Sequence, residues 1–148
     1  MPTPYARYCT TLVASAARTT TASSDALTMP DDIVGGTFIL AVSSVGSATT
    51  PTLDVAYRVT PDDGTTYIPV LRHTQLTTAI KDIITVCFVP WLQAGSLTTN
   101  PALTGGALYA NVAFSRKFTA YWTIGGTSPS ITFAIYFIGY RVPGTTGM

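Results

Sequence analysis

A phrase in this chain is used twice. Residues 38–59, FILAVSSVGSATTPTLDVAYRV, recur in degenerate form at 118–140 as FTAYWTIGGTSPSITFAIYFIGY. Each copy reads as an alternating strand, a Gly-led polar turn, a proline and a second alternating strand. Aligned on Pro51 and Pro129, the second strands set Leu53, Val55, Tyr57 and Val59 against Ile131, Phe133, Ile135 and Phe137. Period-two alternation in both copies is compatible with few folds, and it points to a β-sandwich assembled from two related hairpins.

The rest of the chain reads the same way. Short apolar runs are separated by Gly, Pro, Asp and Ser clusters, and strands are expected at 7–14, 26–29, 36–45, 52–60, 66–72, 82–89, 108–114, 118–124 and 130–142. Polar turns are expected over 18–25, at Pro30-Asp31-Asp32 and at Pro61-Asp62-Asp63-Gly64, with one helical turn allowed at 78–81 and a long loop at 95–106. Thr, Val, Ile, Tyr and Phe are abundant, Glu is absent, and Lys occurs only at Lys81 and Lys117. Propensity therefore agrees with pattern. The expected fold is an all-β, two-sheet, jelly-roll-like sandwich of eight or nine strands. A single domain at 9–142 would carry an extended arm at 1–8 and a tail at 143–148, and a chain of 148 residues can bury such a core without disulfides or metals.

Charge and chemistry narrow the function classes. Only 10% of residues are charged against 47% apolar, and the formal net charge is +1. No Arg/Lys cluster interleaves with aromatics, so nucleic acid is not an expected partner. The apolar run at 83–92 is interrupted by Pro90 and is too short for a membrane helix. The opening MPTPYARYCTT lacks the apolar core of a secretory signal, so synthesis in a cytoplasm is expected. Cys9 and Cys87 are expected to be buried free thiols.

One histidine, His73, cannot assemble a metal site or a base-assisted nucleophile without convergent partners, and it reads as a surface or satisfied structural residue. Asp62-Asp63-Gly64 lacks the later oxygen ligands of a calcium loop. No Asp pair announces a glycosidase arrangement. Neither catalysis nor a metal or other cofactor is expected.

The aromatic residues offer contact instead. In the second copy, Phe118, Trp122, Ile124, Ile131, Phe133, Ile135 and Phe137 fall in one alternation class, the core. Thr119, Tyr121, Thr123, Thr132, Tyr136 and Tyr140 fall in the other, and tyrosine with threonine suits a half-exposed face that meets a partner. A sugar-stacking platform built on Tyr121, Trp122, Tyr136 and Tyr140 is the alternative. The proline-rich start, with Pro2, Pro4, Tyr5, Arg7 and Tyr8, is expected to run as an extended arm across a neighbouring subunit. Arg7, Arg18, Arg58, Arg72 and Arg116 are candidates for specific polar contacts.

Three phrases, TLVASAARTTTASSDAL, TPTLDVAYRVTPDDGTTY and FTAYWTIGGTSPSITFAIYF, resemble a recurrent pattern in small virion structural proteins of tailed bacteriophages. In that pattern an LDV strand and an SPDGTTW-like turn precede a WTVGGTSPSFTFSV-like segment. The chain departs from it at Tyr67-Ile68-Pro69, where the aromatic is usually Trp, and in its apolar segment 80–92. The resemblance implies a capsid decoration or cement protein, a β-sandwich that assembles as trimers on the outside of the head and clamps major capsid subunits against internal DNA pressure. Other virion positions, in tail or baseplate, and a carbohydrate- or receptor-binding module are the alternatives.

Overall fold

A computed structural model of the chain describes residues 7–60, 65–73, 75–87 and 117–141, and for a few of these, including Tyr140 and residues 84–87, the backbone alone. The expected strand at 108–114, the loop at 95–106, the turn at Pro61 to Gly64, the tail, Arg116 and residues 1–6 of the arm lie outside them.

The fold is all-β, two antiparallel sheets packed face to face, with nine strands among the described residues. These are β1 (Arg7–Arg18), β2 (Ala22–Ser23), β3 (Leu27–Thr28), β4 (Ile33–Ser44), β5 (Thr49–Val59), β6 (Ile68–Arg72), β7 (Lys81–Cys87), β8 (Lys117–Thr127) and β9 (Ile131–Arg141). One sheet has the order β1-β9-β4-β7; the other has the order β2-β8-β5-β6, with β3 also on β8. Arg7 and Tyr8, which the arm at 1–8 and the strand expected at 7–14 shared, open β1. The stretch 18–25, expected as a turn, contains β2, and residues 78–79 form a bend where a helical turn was allowed. Asp31 and Asp32 do occupy a turn, closed by Ile33 N–H donating to Pro30 O at 3.1 Å.

The repeated phrase does not form hairpins. β4 pairs with β9 and β7, and β5 pairs with β8 and β6, so each copy is an arch whose two strands lie in different sheets. The turns explain why. A two-residue hairpin turn would hold consecutive strands side by side. Here each connection contains a glycine with positive φ and then a pre-proline residue with positive φ: Gly46 (63°) and Thr50 (49°) in the first copy, Gly126 (108°) and Ser128 (51°) in the second. These left-handed steps turn the chain out of its own sheet and into the opposite one. Alternation along a strand is identical for an arch and a hairpin, so periodicity could not separate them.

The two arches interlock about a pseudo-twofold axis. Phe38, Leu40 and Val42 correspond to Phe118, Ala120 and Trp122, while Val55, Tyr57 and Val59 correspond to Phe133, Ile135 and Phe137. Under this correspondence the β4–β9 pairs Phe38–Phe137, Leu40–Ile135 and Val42–Phe133 become Phe118–Val59, Ala120–Tyr57 and Trp122–Val55. Those are the observed β8–β5 pairs.

The core lies between the sheets. Phe38 stacks on Tyr57 (ring centroids 4.1 Å apart, 26° between planes), meets Phe118 edge-on at 5.8 Å and lies 4.8 Å from Phe137. All four rings are fully buried. Burying side chains of this kind stabilises by roughly 1.5–3 kcal/mol each, with a further increment for such ring geometries. Gly36 permits a close approach of β4 to β9, since a Cβ there would lie 2.3 Å from Ile138 O and 2.6 Å from the Phe137 ring.

At the β1 side the core is closed by Arg18. Its Nη1 donates to Ala16 O and Phe133 O, both at 2.9 Å, and its Nη2 to Ala14 O at 2.7 Å. The guanidinium carbon sits 4.5 Å from the Phe133 ring centroid and 5.2 Å from that of Trp122. Trp122 is itself fixed by Nε1–H donating to Thr20 O at 3.1 Å.

Candidate functional site

The outer faces of the two sheets differ in chemistry. On the four-stranded sheet the ladder places Thr11, Tyr136, Ile39 and Ile83 side by side across β1, β9, β4 and β7. Tyr136 is 38% exposed and Ile83 63%, both high for large apolar side chains. The adjacent row runs Cys9, Ile138, Thr37, and the row on the other side carries Ala134, Ala41 and Lys81. Among the described residues, charge on this face is confined to its corners, Arg7 and Lys81, with an uncharged surface between them.

The five-stranded sheet presents the opposite character. Asp54 forms an ion pair with Arg72 and accepts from Gln75 Nε2 at 2.8 Å, while the Arg58 guanidinium lies 3.5 Å from the centroid of the Tyr121 ring. These charged groups are engaged with neighbours on the same face.

This arrangement separates residues that alternation grouped together. Tyr121 lies on β8 and Tyr136 on β9, in different sheets, so the two tyrosines point to opposite outer faces of the sandwich. The expected single Thr/Tyr face is therefore two faces, because the strands that carry it form an arch. A stacking platform combining Tyr121, Trp122 and Tyr136 is excluded for the same reason, and Trp122 is buried. Thr119, expected to be exposed, is buried in register with Arg58, and Ile124 is only partly buried.

Of the other candidates, Tyr8 faces inward, packs against the core 6.5 Å from Phe137 and lies under Arg141. Arg141 Nε also lies 3.4 Å from Asp32 Oδ2, an electrostatic contact without hydrogen-bond alignment. Arg18 is committed to carbonyls and rings of its own chain, and burial holds its pKa below the ordinary arginine value. Arg7 is exposed at the edge of the sheet, paired through its backbone with Tyr140, for which the structure describes the ladder position alone. Pro2, Pro4 and Tyr5 lie outside the described residues.

Cys9 is an exposed free thiol, contrary to the expected burial, because its position on β1 falls in the outward alternation class. It cannot bond Cys87 within the chain. β1 and β7 are the two end strands of the sheet among the described residues, three strand spacings apart, or roughly 14 Å against the 4.4–6.8 Å between Cα atoms that a disulfide needs.

The chain's single histidine proves to be the centre of a buried polar relay. His73 is 2% exposed. Its Nδ1 lies 2.9 Å from Asp82 Oδ2, its Nε2 lies 2.8 Å from the Tyr57 hydroxyl, and its backbone N–H donates to Val55 O at 2.9 Å. Burial lowers the imidazole pKa below 6.5 against the opposing pull of Asp82, and burial followed by the Asp82 charge holds the Tyr57 phenol well above 10. A neutral imidazole then donates from Nδ1 to the carboxylate and accepts the phenolic proton at Nε2. The order carboxylate, imidazole, hydroxyl is that of a nucleophilic triad, but here the hydroxyl is fully buried and stacked on Phe38. In this arrangement the relay binds elements to one another and presents no nucleophile to solvent. The sequence carried one clue to it, a tyrosine in the inward class of β5, whose hydroxyl needs a buried partner.

No group of three or more His, Cys, Asp or Glu able to hold a metal occurs among the described residues. No helix there is long and apolar enough to cross a membrane. Comparison with protein-family models and with curated proteins finds no match to this chain.

Proposed function

We propose that the chain is a structural subunit of a phage virion, an accessory decoration or cement protein that binds the outside of the head and stabilises it without catalysis. The observation that carries this reading is the outer face of the β1-β9-β4-β7 sheet, which among the described residues is uncharged between its corners, with Tyr136 and Ile83 exposed on one row. Such a face can be covered by a partner without desolvating ions, which costs several kcal/mol per buried charge. Tyrosine supplies contact area with a polar tip at the rim. The resemblance of the repeated phrase to virion proteins supplies the kind of partner, the major capsid protein, with further copies of the chain as trimer neighbours.

The experiment is co-sedimentation with phage heads stripped of accessory proteins, using the wild type and the double variant Ile83→Asp/Tyr136→Asp. Both side chains reach the outer face. Because Asp is disfavoured in strands, the urea midpoint of the variant is measured alongside and pelleting is compared where both proteins are folded. The wild type pellets with heads and the variant stays in the supernatant; equal pelleting of the two removes this face from the function. A particle image that places the chain on the tail would move its location, and glycan binding lost on Tyr121→Ala would replace the reading with a carbohydrate module.

A further inference from the structure

The buried relay joins both sheets on the β6–β7 side of the sandwich. Tyr57 lies on β5 and His73 immediately after β6, in the five-stranded sheet, whereas Asp82 lies on β7, the edge strand of the other sheet. Asp82 is in register with Leu40, so it points inward, and its second carboxylate oxygen accepts Ile83 N–H at 3.0 Å. On its other side β7 has no strand partner among the described residues.

Both neighbours of the imidazole are satisfied together only when it is neutral. Protonation turns Nε2 into a donor facing a hydroxyl whose only hydrogen-bond partner among the described residues is that nitrogen, so the phenolic proton is stranded in the core. The charges around the ring do not compensate. β7 contributes Asp82, whose carboxylate favours the imidazolium, together with Lys81, which points to the outer face. β5 carries Asp54 and Arg58 on its outward side, Arg72 of β6 is paired to Asp54, and β4 offers the uncharged ring of Phe38 through Tyr57.

We propose that the His73–Asp82 contact is an acid-released latch that holds the edge strand β7 onto the sandwich. With β7 closed the imidazole resists protonation, and with β7 open it takes up a proton at the ordinary histidine pKa. Closure is therefore fully supported above about pH 6.5 and weakens as pH falls below that value, until the closed form also protonates. Over that window the opening equilibrium rises by up to about tenfold per pH unit. Opening frees the hydrogen-bonding edge of β4, from Gly35 to Ala41, for another strand. This inference does not depend on the virion role.

The test is amide hydrogen exchange of β7 between pH 7.5 and 5.5, corrected for intrinsic rates, with the β1–β9 pair as internal reference. The wild type loses β7 protection below about pH 6.5 while β1–β9 keeps its own, and His73→Gln shows no such pH response. Unchanged β7 protection in the wild type, or the same acid response in His73→Gln, overturns the latch. Because His73 is the only histidine, its ring resonances give a second measurement that needs no variant. A titration midpoint below 6.5 agrees with the latch, and a midpoint at or above 6.5 overturns it.

Discussion

Phe38 and Phe118 occupy equivalent positions in the two arches and touch across the pseudo-twofold axis, which makes their coupling a direct test of the fold's symmetry. Truncating either ring to alanine is expected to cost about 3–5 kcal/mol. Two such losses would consume much of the 5–15 kcal/mol that holds an ordinary domain together. Leucine is the better probe, since it keeps most of the volume and costs under about 1.5 kcal/mol at each site. The edge-on geometry, 67° between planes at 5.8 Å, falls in the range where an aromatic pair adds about 0.5–1.5 kcal/mol beyond its buried area. Urea unfolding of the wild type, Phe38→Leu, Phe118→Leu and the double variant at constant m should show the double variant more stable than the sum of the single losses by that amount. Additivity within about 0.3 kcal/mol refutes contact between the two rings, and with it the interlocking of the arches.

Three further outcomes follow from particular residues. Gly126→Ala, at a φ of 108° with its new Cβ 2.8 Å from Thr50 O, should destabilise by about 1–3 kcal/mol, and Gly46→Ala, at 63°, by about 1–2 kcal/mol, both read from urea midpoints. Arg18→Lys keeps the charge but cannot reach three carbonyls while lying flat on two rings, so a loss of about 1–2 kcal/mol in thermal or urea unfolding is expected. Tyr57→Phe leaves His73 Nε2 buried without its donor, with an expected cost of about 1–3 kcal/mol at pH 7.5 that shrinks as pH falls through the imidazole titration.

Strand identity was largely legible because inward positions such as Leu53, Val55, Tyr57 and Val59 alternate cleanly and are buried. Sheet membership was not. Gly-led turns ending in Pro51 and Pro129 have the composition of hairpin loops, and the positive φ at Thr50 and Ser128 that redirects the chain leaves no mark in residue type. That ambiguity divided the expected Tyr121–Tyr136 face in two. β2, two residues long, is too short for periodicity to register, whereas β3 falls inside the strand expected at 26–29. The relay was hidden because its members come from three separate segments and meet only when the sheets stack.

The arches also bear on when this domain can come into being. No strand of the first copy finds its partner within that copy: β4 waits for β9 and β5 for β8, so Phe38 must meet Phe137 and Val59 must meet Phe118. A chain emerging from the ribosome at about 5–20 residues per second therefore carries β4 and β5 for several seconds before their central partners exist. Loop closure over such separations precedes any reward from the core, which places the protein among slowly folding, high-contact-order sandwiches. During that interval the apolar sides of β4 and β5 are exposed, and the low charge that suits the finished surface to contact leaves the nascent chain with little electrostatic protection against association.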